Sequence, residues 1–362
     1  MSIPVADLTI ELTQTPTELP PQDKLKFGHC FSDHMLECDW TDEEGWGVPR
    51  IVPFHNMSIH PASTCLHYGL EIFEGLKAYY GDDDKIRLFR PLKNAQRFAD
   101  SASRLDLPAI VPEELVELIK AVVKVDEKFI PKAAAHSLYI RPTLVSTHQY
   151  LGVCRPKAAK LFIILSPSGP YFATSAPKLL ATDKYARAAP GGVGACKCGG
   201  NYAPTIMPQS MAAKQGCQQI LWLSPDEEHF LTEVGAMNFF CVVKDGEDKK
   251  KIVTAPLDGL ILPGVTRDSM LTLCASRDDI SVEERPVPIK ELLGWIESGE
   301  LLECFGTGTA AVVTPVGGLK YKDFDADLNK SDRSVSEWAY SQITGIQWGK
   351  VEDKNNWTVV IE

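Results

Sequence analysis

A run rich in Ser, Pro and Gly, SPSGPYFATSAPKL, interrupts the chain between two long stretches of alternating strand and helix signals. Composition of that kind between periodic segments marks a linker. The chain's 362 residues also exceed what one hydrophobic core usually organises. The sequence therefore reads as an N-terminal domain over 1–167, a linker over 168–180 and a C-terminal domain over 181–362. Hydrophobic residues at 44% and charged residues at 23% supply apolar material for two cores.

In the first half, the segment from Phe27 to about Tyr80 is rich in aromatics, Pro and Gly with short β-type runs, and reads as strands and turns. Asn94 to Leu105 carries apolar residues at helical spacing. PEELVELIKAVVKVDEKFIP opens on a proline and two glutamates, which suit the positive end of a helix, and Pro131 closes it. SLYIRPTLV and AKLFIILS read as strands. In the second half QQILWLS, NFFCVVKD and KIVTAP are strands, interleaved with helices beginning near Pro204, Thr266 and Pro288 and a last one around Ser334 to Ile346. The interleaving is irregular, so the fold class is α+β rather than regular βαβ alternation.

The net charge of −11 argues against a nucleic-acid or anionic-membrane surface, since phosphate backbones require a basic footprint. The longest purely aliphatic or aromatic run, Leu161 to Leu165, is far below the roughly 20 residues of a bilayer span. The first basic residue is Lys24, and acids precede it, so the opening resembles neither a signal peptide nor an Arg-rich leader. Ten scattered cysteines fit a reducing compartment, and a cytoplasmic protein is expected.

GGVGACKCGGNYAP places Lys197 among glycines with Tyr202 five positions on. Glycines permit close approach of a bulky ligand, and a lysine held there can join an aldehyde cofactor once deprotonated. On residue types alone a surface turn with a solvated lysine is the commoner outcome, since lysines are usually exposed. Cys196 and Cys198 flank the lysine as C-x-C, but no second cysteine pair or histidine pair follows to complete a structural zinc site. In LTEVGAMNFF, Glu233 interrupts an apolar strand and needs a cation such as a protonated pyridine nitrogen, or else an edge position facing water. LPGVTRDSMLTL opens a helix at Gly264, Val265 and Thr266, and FGTGTAAVVTP adds hydroxyl and amide donors, so both are phosphate-cradle candidates. The second also matches a dinucleotide fingerprint through Gly306, Gly308 and Ala311. That reading is rejected because AVVTPV is β-branched and ends in Pro, and only about 50 residues remain for a nucleotide fold. Tyr139 and Arg141 sit two apart on a strand and share a face, placed either to hold a carboxylate or to form a structural ion pair.

Nine segments in register carry a resemblance: FSDHMLECDW, HPASTCLHYGLEIFEGLKAY, RLFRP, SLYIRP, GACKCGGNYAP, QQILWLS, LTEVGAMN, APLDGLILPGVTRDS and FGTGTAAVV. From about Phe27 to Val316 the chain resembles the fold-type IV pyridoxal phosphate enzymes, and within them the eukaryotic branched-chain amino acid aminotransferases. The resemblance implies a smaller N-terminal α/β domain, a larger mixed α/β C-terminal domain of pseudo-barrel form, and a homodimer with active sites near the domain and subunit boundary. It implies transamination between branched-chain L-amino acids and 2-oxoglutarate. By the same resemblance Lys197 is the Schiff-base lysine and general base, Tyr202 bonds the cofactor's ring hydroxyl and Glu233 pairs with its pyridinium nitrogen. Arg97, Thr309 and the amides of Val265 and Thr266 hold the phosphate. Phe27, Tyr68, Phe73, Tyr139, Arg141, Tyr171 and the backbone of Thr309 and Ala310 contact substrate.

There are departures. Ala311 and Thr314 stand where animal relatives carry a redox C-x-x-C, Ala236 stands where many have threonine, and YKDFDADLNKSDRSV lacks the expected Gly-Pro turn. The rivals are a D-amino acid or (R)-amine aminotransferase, an aminodeoxychorismate lyase, and a non-catalytic metabolite-binding protein that would not need Lys197.

Overall fold

The computed structural model describes residues 2–170 and 176–362. Two compact units emerge, one comprising Met1–Tyr171, Cys196–Gly199 and Gly345–Glu362, the other Phe172–Ala195 and Gly200–Thr344. The sequence pattern places everything after residue 180 in the second domain, whereas the chain returns twice to the first unit. The C-terminal return has a physical cause. Strand Thr358–Ile361 pairs antiparallel with Ile86–Phe89, Trp357 packs edge-on against Phe89 at 5.7 Å, and the Arg90 guanidinium lies 4.8 Å from the Trp357 ring.

The first unit is built on one sheet. Its strands run in the order Thr9–Ile10, Arg50–Pro53, His34–Thr41, Ala158–Ser168, Ser137–Ser146, Leu76–Tyr80, Ile86–Phe89 and Thr358–Ile361. The short strand Glu71–Phe73 adds to Ser137–Ser146 at its far end. The two central strands, SLYIRPTLVS and AAKLFIILSPS, pair over ten positions and are largely buried, which explains their near-continuous apolar character. Helices Pro91–Arg104 and Pro112–Val125 start at proline, where the missing N–H costs nothing. Glu113 and Glu114 occupy the first turn of the second, which buries Leu115, Leu118, Ile119, Val122 and Val123 at helical spacing. The first helix buries a mixed face, with Asn94, Arg97 and Ser101 beside Ala95, Phe98 and Ala102.

The second unit has a mixed sheet. Parallel pairs occur at Lys178–Thr182 with Gln219–Leu223 and at Lys250–Thr254 with Ile280–Glu284, among otherwise mostly antiparallel neighbours. Met237–Lys244 is its hub, pairing with Leu231–Val234, Lys250–Thr254 and Leu301–Gly308. Helices Ile206–Lys214, Val265–Ala275, Ile289–Ser298 and Ser334–Gln347 fall where the sequence places them. After the glycines at 306 and 308 comes the strand Val312–Pro315, not a helix, which agrees with rejecting the dinucleotide fingerprint. The start of YKDFDADLNKSDRSV, the segment without the Gly-Pro turn, closes a hairpin, Gly318–Tyr321 against Phe324–Asp327.

Candidate functional site

On strand Ser137–Ser146, Tyr139 and Arg141 share a face, as the alternation requires. Tyr139 is buried, and its ring meets Phe27 edge-on at 4.7 Å. Arg141 Nη2 donates to the Tyr139 hydroxyl at 3.2 Å, and the guanidinium lies 4.7 Å from the Phe73 ring centre. Glycine is required at 75, because a Cβ there would lie 1.8 Å from the Tyr139 oxygen. Arg141 Nε is buried with no hydrogen-bond partner, and among the described residues no carboxylate pairs with this guanidinium. A half-buried guanidinium whose buried Nε–H has no acceptor can take up an arriving anion.

Lys197 belongs to the same unit, and its ammonium nitrogen is 4.6 Å from the Phe73 ring centre. Its backbone is pinned on both sides: its N–H donates to Ser101 Oγ at 2.9 Å, and its carbonyl accepts from Phe73 N–H at 3.0 Å. Ser101 Oγ itself donates to the Arg97 carbonyl one turn back. Asn94, Arg97 and Ser101, at i, i+3 and i+7, form a polar stripe on the buried face of their helix. Glu74 completes it. Its carboxylate accepts from Arg97 Nε at 2.6 Å, from Arg97 Nη2 at 2.9 Å and from Asn94 Nδ2 at 2.9 Å. Burial pushes the Glu74 carboxyl upward, but Arg97, Lys197 and Asn94 outweigh it and hold the group below the usual carboxylate range.

In the second unit Glu233 is buried on strand Leu231–Val234, not at a water-facing edge. Its Oε1 accepts the Leu262 N–H at 2.7 Å, and Oε2 lies 3.2 Å from Arg187 Nε, a charge contact without hydrogen-bond alignment. Arg187 therefore already supplies a cation to this carboxylate. Its Nη2 also ties the carbonyls of Gly194 and Leu260 together at 3.1 and 2.7 Å. Asn238, opposite Glu233 in the ladder and opposite Thr307 on the other side, donates to the Leu262 carbonyl at 2.8 Å. Gly264 packs so closely on it that a Cβ would come within 2.0 Å of Asn238 Oδ1.

The helix Val265–Ala275 follows at once, eleven residues long and without a side-chain cap, so the N–H groups of Val265 and Thr266 open its positive end. Thr307 Oγ1 is buried with no partner among the described residues, and Thr309 and Ala310 lie in the turn that follows its strand. Such a donor set fits a phosphate, and the nearby buried carboxylate fits a protonated ring nitrogen. Tyr202 caps a short 3-10 turn, its carbonyl accepting from Thr205 N–H and Oγ1.

Phe27, Phe73, Tyr139, Arg141 and Lys197 are thus brought together in one unit, while Glu233, Val265, Thr266, Thr309, Ala310 and Tyr202 lie in the other. Arg97 is buried, with two guanidinium nitrogens given to Glu74. Tyr68 ends the short helix Thr64–Tyr68 on the surface, its hydroxyl donating to the Leu151 carbonyl. Tyr171 lies outside the described residues. Glu74, Asn94, Ser101, Arg187, Asn238 and Thr307 escape a reading of the sequence alone. Only the polar stripe at helical spacing offers a signal for two of them. Among the described residues no group of three or more His, Cys, Asp or Glu side chains could hold a metal ion, and no helix is long and apolar enough to cross a membrane.

The architecture and these side chains fit a class of aminotransferases, and residues 71–319 match the family model described as "Amino-transferase class IV". The chain is 45% identical over 370 residues, 99% of its length and 96% of the relative's, to the "Branched-chain-amino-acid aminotransferase" of Dictyostelium discoideum. It is 44% identical to the cytosolic "Branched-chain-amino-acid aminotransferase" of Saccharomyces cerevisiae, covering 97% of this chain and 96% of that one. Among solved structures, a T.th. "Branched-Chain Amino Acid Aminotransferase Complexed with N-(5'-Phosphopyridoxyl)-L-Glutamate" superposes with a TM-score of 0.70 at 26% identity, covering 90% of this chain and 98% of that one. The chain belongs to the branched-chain-amino-acid aminotransferase family of class IV.

Proposed function

We propose that this chain exchanges amino groups between the branched-chain L-amino acids Leu, Ile and Val and 2-oxoglutarate, giving branched-chain 2-oxo acids and L-glutamate, with pyridoxal 5'-phosphate as cofactor. When bound, that group supplies the carbonyl that carries nitrogen between substrates and the ring that takes up carbanion charge. Lys197 is its covalent anchor and, through Nζ, takes the proton from the substrate α-carbon and returns it. Glu233 keeps a proton on the ring nitrogen, and Tyr202 bonds the ring hydroxyl. Val265 and Thr266 N–H, Thr309 and Arg97 hold the phosphate. The backbone of Thr309 and Ala310, with Phe27, Phe73, Tyr68 and Tyr171, positions the substrate.

The observation that carries the substrate reading is Arg141, a guanidinium set among Phe27, Phe73 and Tyr139 with a buried, unpartnered Nε. Aromatic walls suit a branched side chain, and the guanidinium suits the second carboxylate of 2-oxoglutarate and glutamate. A hydrogen bond to a charged group contributes about 1.5–3 kcal/mol, so Arg141→Ala should lower kcat/KM for 2-oxoglutarate roughly tenfold to a hundredfold. The leucine half-reaction should change far less. Equal losses in both half-reactions, measured separately by stopped flow, would remove Arg141 from this role.

The homodimer belongs to the same proposal. Leu66, Tyr68, Tyr150, Leu151 and Val153 form an exposed apolar patch, held together by the Tyr150 N–H to Ala62 carbonyl bond and by Tyr68. Exposed apolar patches of this kind mark interaction surfaces. With Tyr68 on that patch, its contact with substrate requires a second copy. A cytoplasmic location fits ten unbridged cysteines.

A further inference from the structure

The C-x-C pair around Lys197 is left without a task by transamination, and its geometry gives it one. Cys196 is half-buried, Cys198 is buried at 2% exposure, and the two thiols hydrogen-bond to each other on either side of the lysine. We propose that Cys196 and Cys198 are a modification site, a vicinal dithiol that a hydroperoxide oxidises to a disulfide across Lys197 and that thereby switches the lysine off.

Cys196 is the sulfur that meets the oxidant first, because it is the more exposed of the two. Its thiolate displaces the O–O bond of the hydroperoxide. One oxygen stays on sulfur as a sulfenic acid, and the other leaves as an alcohol or water with the proton. The Cys198 sulfur then attacks Cys196, the S–O bond breaks, water carries away the remaining proton, and the S–S bond forms. Two thiols and one hydroperoxide thus give one disulfide, one alcohol or water, and one further water. Burial pushes both thiols up, Cys198 to about 12. The Arg104 guanidinium pulls both the other way, the hydrogen bond from Cys198 also lowers Cys196, and Asp100 opposes at Cys196. Raised thiols hold little thiolate, so the first step is expected to be slow at neutral pH.

The effect on the lysine follows from how it is held. Ser101 fixes its N–H and Phe73 N–H fixes its carbonyl, while Cys198 bridges to Ile72. Closing a small covalent ring from Cys196 to Cys198 makes the backbone of Lys197 part of that ring. In the proposed switch that ring competes with these bonds and draws Nζ from its place beside Phe73.

The test uses the holoenzyme treated with hydrogen peroxide and read three ways: peptide mapping by mass spectrometry, activity, and the absorbance of the bound cofactor. The expected result is a Cys196–Cys198 disulfide that accumulates in step with loss of activity, both reversed by dithiothreitol. Cys196→Ser should form no bridge and keep its activity under the same treatment. Cys198→Ala should accumulate a sulfenic acid on Cys196 that dimedone traps. Inactivation of wild type without this bridge, a bridge at full activity, or equal inactivation of Cys196→Ser would overturn the proposal. The mapping reads the bridge whether or not the cofactor assignment holds. The spectrum of untreated protein reads that assignment separately.

Discussion

In the proposed site Arg97 would grip a phosphate while also bonding Glu74. The guanidinium gives Nε and Nη2 to a carboxylate that is 1% exposed, so its orientation is set before any ligand arrives. Removing one partner of a buried pair leaves the other charge uncompensated and costs about 3–5 kcal/mol. Glu74→Gln should therefore lower unfolding stability by about that amount in urea melts at neutral pH. The Glu74 carboxyl is held below its ordinary value in the fold, so its contribution is present above the unfolded carboxylate range and is lost as pH falls through the folded value. The gap between wild type and Glu74→Gln should thus shrink in acid, and a gap independent of pH would contradict the charge assignment. The shared face of Tyr139 and Arg141 was legible in the sequence because a two-residue strand spacing is a local pattern, and Lys197 stood out by its glycine neighbours alone. Glu74 and Arg187 were not, since each acts through a partner far along the chain that only folding brings near.

At the scale of elements, the clearest device is the loop that carries Leu262, Pro263 and Gly264 into the helix Val265–Ala275. Glu233 accepts its Leu262 N–H, and Asn238 donates to the Leu262 carbonyl, so two adjacent strands fix where the helix begins. Asn238→Ala would leave that carbonyl unpaired, at about 1–3 kcal/mol. Affinity of the apoprotein for pyridoxal 5'-phosphate should weaken by roughly tenfold in an absorbance titration, whereas unchanged affinity would detach this loop from the phosphate. The helix itself was readable, because Gly, Val and Thr before an amphipathic run announce a helix start, as the prolines at 91 and 112 do. The hairpin Gly318–Tyr321 with Phe324–Asp327 was not, because its tip, Lys322 at φ +52, is a left-handed turn that lacks the usual glycine. The return of Thr358–Ile361 to the first sheet was equally silent, since strand pairing across more than 260 residues leaves no local trace.

At the scale of the whole molecule, the proposed dimer would link assembly to chemistry through the apolar patch at Leu66, Tyr68, Tyr150, Leu151 and Val153. Val153 is 79% exposed in the single chain, and Val153→Asp would place a charge where a second copy needs an apolar surface. Light scattering should find a dimer for wild type and a shift to monomer for the variant. A monomeric wild type would remove Tyr68 from the substrate pocket along with the dimer. The proposed chemistry as a whole rests on Lys197 as the anchor of the cofactor. Borohydride treatment of the protein with bound pyridoxal 5'-phosphate, followed by peptide mapping, should place the phosphopyridoxyl group on Lys197 alone, and Lys197→Ala should abolish both the adduct and the visible absorbance band. An adduct on another lysine, or none on the peptide containing residue 197, would contradict it.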